Sequence, residues 1–439
     1  MKVAAKMFNI TPPVGLSIGG NVRADDKSRG IHDDLFCNTV YFENEDQEFL
    51  FLSFDLLCLM ADQCDDIKKR ISESTGISTK NIMVNATHTH SGPDTSEIFK
   101  TKRHDDAVAY LNNTFSMIAE EIKDIKLKAC DCDVFCAVSD VYDLSFNRRL
   151  VMKDGSIVMN WNPVDPEDVK GTTGPIDPAL TVFQCVCKST SKVLAFMVNF
   201  TLHPAILVGK DWLYSRDYIH YLTIKLQEAY GSETVVWFSN GAEGNINHLN
   251  YKDHHQKRGF EEARRIGEKL AEYVKKSLFN KRLLPNKLKS VSSTVHLPYR
   301  QLSKEIIQNA KQLWDACGGV YPSLLDGVPD EVYAREILTL AQMDQDTLEV
   351  GIQGVMLGDV LFVNFPGEVF VEFALEVKRK AKAAHTVVVG LADGYVGYIP
   401  NQAAFEQGGY EIKTAQSSKL SETAGNVLVD EVLKLVGSF

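Results

Sequence analysis

Residues 81–94 read NIMVNATHTHSGPD, and the fold turns on how that stretch is parsed. Residues 81–86 are a short, mostly apolar run of the kind that forms a buried strand. The chain then passes directly into His88 and His90, with Gly92, Pro93 and Asp94 behind them. Gly-Pro forces a tight turn and presents backbone groups there. The whole chain has 11 histidines, so two in one turn raise the question of what else shares their site.

The same junction of apolar run and polar motif recurs along the chain. KVLAFMVNFT runs into LHP at His203, and TVVWFS into NGAEGNIN at 240–247. VMLGDVLFVNF runs into PGE at Glu368, and HTVVVGLA into DGYVGYIP. Helical periodicity marks residues 61–74, 104–127, 217–230, 258–278, 302–316, 330–344, 369–383 and 420–437. Strand then helix, repeated, predicts an α/β fold with a mixed sheet flanked by helices. Directly joined runs at 347–364 predict that part of the sheet is antiparallel. Ligand sites in such folds gather at the carboxyl ends of strands. Five such ends predict one crevice.

Composition narrows the function. The chain carries 47 basic and 58 acidic residues, a net charge of −11, which argues against a nucleic-acid partner. No run reaches the ~18 apolar residues of a membrane-spanning helix. The start, MKVAAKMFNITPPVG, lacks the apolar core of a secretory signal, so the expected location is cytoplasmic with reduced thiols. In ACDCDVFCAV, Cys130, Cys132, Val134 and Cys136 share one parity while Asp131 and Asp133 take the other. That is a half-buried strand with its cysteines facing in.

The strand-end inventory holds His88, His90, His203 and Glu368, with Asp217 and Glu243 as further acids. Mixed imidazole and carboxylate donors suit zinc better than magnesium or calcium. Were the chain extended through 88–90, both imidazoles would point the same way. A strand-end histidine can equally be a hydrogen-bonded structural residue, and H-x-H alone leaves both readings open. His32 precedes a strand and can enter the crevice. Asp55, in LSFDLL, is either a buried acid satisfied by backbone donors or a partner that orients a ligand.

ATHTHSGP resembles the signature of the neutral/alkaline, non-lysosomal ceramidases, which are zinc amidases. The likeness continues in order through FNRR (146–149), LHP (202–204), SRDY (215–218), SNGAEGNIN (239–247), PGE (366–368) and YIPNQAAFEQGGYE (398–411). The resemblance implies His88, His203, Glu368 and Tyr398 as zinc ligands. It places His90 beside the metal, and Arg148 and Tyr410 against the reacting group. There are two departures. Residues 240–247 read NGAEGNIN, so Asn245 stands where the family's catalytic serine belongs. The chain also ends at Phe439, which implies a single catalytic domain over 1–439 without the family's C-terminal immunoglobulin-like domain.

The function expected is a zinc-dependent hydrolase that cleaves an amide or ester by metal-activated water. The substrate expected is a small, fairly polar molecule in place of a long-chain sphingolipid. His90 or Glu243 would move the proton. Arg148, Tyr410 or His90 would stabilise the oxyanion, and Asn245 would orient water or substrate. Two other classes stay open: a non-catalytic metal- or ligand-binding homologue, and a metal-assisted glycoside or phosphoester hydrolase drawing on Asp94, Asp217 and Glu243. The sequence sets no oligomeric state.

Overall fold

The computed structural model describes residues 1–439 except 21–25, 97, 100–103, 209–210, 254 and 320–327. Its larger sheet contains β1 (Lys2–Asn9), β2 (Phe36–Glu43), β3 (Glu48–Phe54), β4 (Ile82–Ala86), β5 (Cys130–Asp140), β6 (Ala179–Cys187), β7 (Val193–Phe200) and β8 (Val235–Asn240). Their order is β8-β7-β6-β5-β1-β2-β3-β4, with Arg282–Leu283 pairing beside β5. Only two residue pairs join β1 to β5, Lys2 with Asp131 and Val3 with Cys130. The sheet folds at that weak seam, and β8 packs across β2 and β3. A second sheet, β9 (Leu288–Pro298), β10 (Thr347–Leu357), β11 (Val360–Asn364) and β12 (His385–Val389), completes the enclosure.

The centre is shared by all three walls. Phe42 and Phe51 from the first half-sheet, Phe183 and Trp237 from the second, and Phe362 and Val387 from the small sheet meet in one cluster. Each wall also has an outer face under helices. α1 (Ala61–Thr75) and α2 (Asp105–Glu121) cover β1–β4. α3 (Tyr218–Tyr230) and α4 (Gly259–Ser277) cover β5–β8. α5 (Lys304–Ala316) and α6 (Asp330–Leu340) are inserted between β9 and β10, and a short α8 (Gln402–Gln407) lies near the chain's end. α7 (Val371–Lys380) and α9 (Ala424–Val436) cover the small sheet. Strands buried on both faces read as continuous apolar runs, as in FLFLSF and VLFVN.

Each wall contains one parallel pair: β3 with β4, β7 with β8, and β11 with β12. The other pairings of these strands are antiparallel, including the hairpin between β10 and β11 expected at 347–364. Polar residues at the ends of the parallel pairs tie each wall to the next: Asn85 and Asn199 make two of the ties and Asp393, held by Asn364, the third. Asn85 Nδ2 donates to the Phe238 carbonyl at 3.2 Å, and Asn199 Nδ2 to that of Val388 at 3.0 Å. Asn364 Nδ2 donates to the Ala392 carbonyl at 3.4 Å. Neighbouring Asp393 donates its N–H to the Val84 carbonyl at 2.7 Å and accepts the Val84 N–H at 3.0 Å. The walls are thus tied in a ring, and their parallel strand ends are drawn together.

The cysteine pattern folds as read. Cys132 and Cys136 are buried in the central cluster, while Asp131 is exposed. No helix among the described residues is long and apolar enough to cross a membrane.

Candidate metal centre

The stretch after β4 does not continue extended as the i, i+2 argument assumed. His88 adopts φ +71°, in the left-handed region. The strand ends at Ala86 because the chain must turn into the crevice. The His88 N–H donates to the Leu56 carbonyl at 2.9 Å, and its Nδ1 lies 2.6 Å from the Leu57 carbonyl oxygen. Such a backbone costs about 1–3 kcal/mol and persists where the surroundings over-determine it. Asp55 helps to hold it. Its carboxylate accepts the Phe36 N–H at 2.8 Å and the Thr87 hydroxyl at 3.3 Å, and pairs with Arg216 Nε at 2.6 Å. Asp55 therefore acts on the residue before His88 as well as satisfying a backbone donor.

The other strand ends bring the remaining groups. His203 leaves β7 on a turn held by Asp217, whose carboxylate accepts the N–H groups of Ile206, Leu207 and Tyr218 at 3.0, 2.8 and 2.6 Å. Those three bonds occupy Asp217, which stays out of the cluster. Glu368 follows β11 and begins a two-residue strand paired in parallel with Tyr398–Ile399, so register sets Glu368 opposite Tyr398. The turn before it needs glycine: a Cβ on Gly367 would lie 2.5 Å from the Gly397 carbonyl oxygen.

The donor atoms converge. His90 Nε2 is 3.1 Å from His203 Nε2. His88 Nε2 is 3.6 Å, and His203 Nε2 4.0 Å, from Glu368 Oε2. Donors with ~2.0 Å bonds to one tetrahedral zinc lie about 3.3 Å apart, so these spacings fit. All these residues except His90 are at most 3 % exposed. His88 Nε2 and Glu368 Oε2 have no hydrogen-bond partner. Leaving a buried polar atom unmet costs about 1–3 kcal/mol, and a cation would meet both at once. The three imidazoles can hold such an ion, with Glu368 as a fourth donor. Burial and the neighbouring His88 hold His90 down at about 3, so its lone pair is free. Burial opposes ionisation of Glu368, yet His88 and Arg148 prevail and hold its carboxyl at about 2. Tyr398 is buried, and its hydroxyl interacts with Glu368 and Arg148.

Arg148 forms the adjoining wall. Its Nε donates to Glu411 Oε1 at 2.9 Å, and Arg149 Nη1 donates to Glu411 Oε2 at 2.6 Å. Arg148 Nη2 is buried without a partner. The guanidinium lies 5.4 Å from the ring centres of Trp161 and Tyr398 and 6.0 Å from that of Tyr410. Trp161 and Tyr410 meet edge to face at 5.8 Å and are both partly exposed, which makes them the rim. Glu243 is fully buried, and neither of its oxygens is hydrogen-bonded. Burial and the charge of Glu368 push its carboxyl well above the usual range.

Asn245 faces elsewhere. Its Oδ1 accepts the Val371 N–H at 2.9 Å, and its Nδ2 donates to Glu372 at 3.0 Å, both in the first turn of α7. Its carbonyl accepts the Arg148 N–H at 2.9 Å. His32 does not join the cluster: it stacks on Phe260 at 3.9 Å and pairs with Asp33. Asp94 is engaged with Ser96. Sequence reasoning missed Tyr395, whose hydroxyl donates to Glu368 Oε1 at 2.7 Å, and also Glu411 and Trp161. Tyr395 sits three residues before Tyr398 in the same motif, and Glu411 directly follows Tyr410; Trp161 carries no local signal.

No family model and no curated protein matches this sequence. Solved structures do. The neutral ceramidase from Pseudomonas aeruginosa superposes with a TM-score of 0.76 at 17% identity, over 99% of this chain and 74% of that one. A ceramidase complexed with C2 gives 0.75 at 16%, over the same shares. The identities are low and the coverage nearly complete, so the likeness is one of architecture: this chain has a neutral-ceramidase-like fold.

Proposed function

We propose that this chain is a cytoplasmic, zinc-dependent hydrolase of the neutral ceramidase superfamily, working as one catalytic unit on a small, fairly polar amide or ester. The observation that carries the reading is the pair of unpartnered buried atoms, His88 Nε2 and Glu368 Oε2, set among His90 and His203. Of the three clustered imidazoles, His88 and His203 would hold the ion together with Glu368 and its hydrogen-bonded neighbour Tyr398, leaving His90 beside it. Bound zinc polarises a carbonyl and acidifies water at neutral pH.

The chain's own groups handle protons and charge. His90, neutral at physiological pH, accepts the proton of the attacking water. Glu243 keeps its proton and gives it to the leaving group. A carboxyl that stays protonated beside a charged neighbour is suited to act as a general acid. Arg148, through its free Nη2, and Tyr410 stabilise the oxygen that becomes negative; one such donor is worth about 3–4 kcal/mol. Asn245 positions Arg148 and α7 without touching substrate. The rim of Trp161 and Tyr410, with Arg148 buried behind it, favours a substrate that offers a flat or polar group near the scissile bond.

The test is elemental mass spectrometry of wild type and His203→Ala, followed by an amide and ester panel with and without chelator. About one zinc per chain, lost in the variant, with chelator-sensitive hydrolysis, is the expected result. Failure to retain zinc after reconstitution, or Glu368→Ala keeping both metal and turnover, overturns the reading. Robust ceramide turnover in detergent would overturn the small-substrate part. A second reading, metal-assisted glycoside hydrolysis, would use Glu243 and Glu368 as its two carboxyls. Release of reducing sugar from a glycoside panel would select it.

A further inference from the structure

Away from the crevice, three of the nine cysteines are in sulfur contact: Cys130 lies 3.9 Å from Cys132 and closer still to Cys187. Cys130 opens β5 and Cys187 closes β6. The strands are antiparallel, with Cys187 opposite Cys132, and the Lys188 N–H donates to the Asp131 carbonyl one step further on. Cys130 therefore stands diagonally across from Cys187 on the same face, and the two Sγ atoms are 3.1 Å apart. β6 runs opposite to β7, whose carboxyl end leads to His203, so the thiol pair lies at the far end of the sheet.

The two thiols are not equivalent. Hydrogen bonds from Ser189, Thr190 and Cys130 push Cys187 down to about 6. Burial pushes Cys130, Cys132, Cys136 and Cys185 up. Thiolate is the nucleophilic form. Cys130 is partly exposed, and residues 188–192, which follow Cys187 directly, are exposed throughout. Cys187 itself is 4 % exposed, so attack requires this turn to lift.

We propose that Cys187 is a modification site for low-mass disulfides and that Cys130 resolves the adduct into a Cys130–Cys187 disulfide. The Cys187 thiolate attacks one sulfur of the small disulfide RSSR. The S–S bond breaks, and RS⁻ leaves and takes a proton from water. Cys130 then gives its proton to solvent and attacks Cys187 Sγ, expelling the second RS⁻. Two protein thiols are oxidised to one disulfide, and RSSR is reduced to two RSH. The sulfurs close by about 1 Å to reach bonding distance.

The experiment exposes the native chain to oxidised glutathione at neutral pH, blocks free thiols with N-ethylmaleimide, and maps the peptides by mass spectrometry. In wild type, a link from Cys187 to Cys130 is expected, placed by fragment ions. Cys130→Ser should stop at a glutathione adduct on Cys187, and Cys187→Ser should take up none at either position. In a maleimide time course, Cys187 should react at least about tenfold faster than Cys136 or Cys185. A Cys187 left unmodified in Cys130→Ser, or a link to Cys132 in wild type, overturns the proposal. Circular dichroism and the thermal midpoint of each serine variant show that it is folded, so a negative result counts against the chemistry.

Discussion

Glu411 and Glu243 are both completely buried carboxyl groups within one neighbourhood, and they are treated in opposite ways. Glu411 lies between two guanidiniums, with a bond to each oxygen. Glu243 has no hydrogen bond on either oxygen and faces the like charge of Glu368. A buried acid between two cations is a fixture: removing it strands charges. A buried acid without a partner stays neutral and keeps a proton available. The first builds the wall around Arg148, and the second is suited to chemistry.

The largest effect expected is at the fixture. Glu411→Ala leaves Arg148 and Arg149 buried without their counter-ion and should cost about 3–5 kcal/mol of stability. Denaturant titration measures it, and a loss under ~1 kcal/mol would erase the distinction between the two acids.

A related class is the group kept uncharged. Burial holds His248 and His385 down at about 4, against an ordinary value of 6.5. Their folded pKa is the lower one, so the unfolded chain binds protons first on acidification. The stability they contribute is complete above pH 6.5 and is lost as pH falls toward 4, by up to about 3 kcal/mol per group at roughly 1.4 kcal/mol per unit. Unfolding midpoints from pH 7.5 to 4.5 should show the slope, and His385→Gln should flatten it. An equal slope in that variant would remove His385 from the account.

Glu243→Gln keeps the shape and discards the proton. Turnover should fall about 100-fold while the denaturation midpoint holds or rises. Undiminished turnover would make Glu243 a structural residue like Glu411. Smallest is Tyr395→Phe, which frees Glu368 Oε1. Zinc affinity, read by competition with a chelating dye, should drop about tenfold with stability nearly unchanged. An unaltered affinity would mean that Glu368 is oriented by the backbone alone.

The helices were legible because their apolar faces repeat with a clear period. The periodicity predicts a helix over 258–278, and the helix runs Gly259–Ser277. β1, β6 and β9 are not legible, and β9 shows why: in LKSVSSTVHLP three consecutive exposed residues, Ser292, Ser293 and Thr294, break the alternation. The strand-end histidines and Glu368 announced themselves by position. Tyr395, Glu411 and Trp161 did not, because their partners arrive through tertiary register, such as Glu368 opposite Tyr398, which no local pattern encodes. The turn of His88 out of the extended conformation was hidden for the same reason: the carbonyls of Leu56 and Leu57 that hold it come from another segment.

The ring of ties between the walls has a consequence for how the molecule comes to exist. Asn85 and Asn199 span two of the joints between neighbouring walls and Asp393 the third, and the ligands come from strand ends on all three walls. Two walls docked together bring His88 near His203 but leave Glu368 outside. Only closure of the last joint assembles the whole donor set. Capture of the ion therefore reports completion: a chain arrested with any one wall adrift has its core in part and its histidines in part, and no place for the metal.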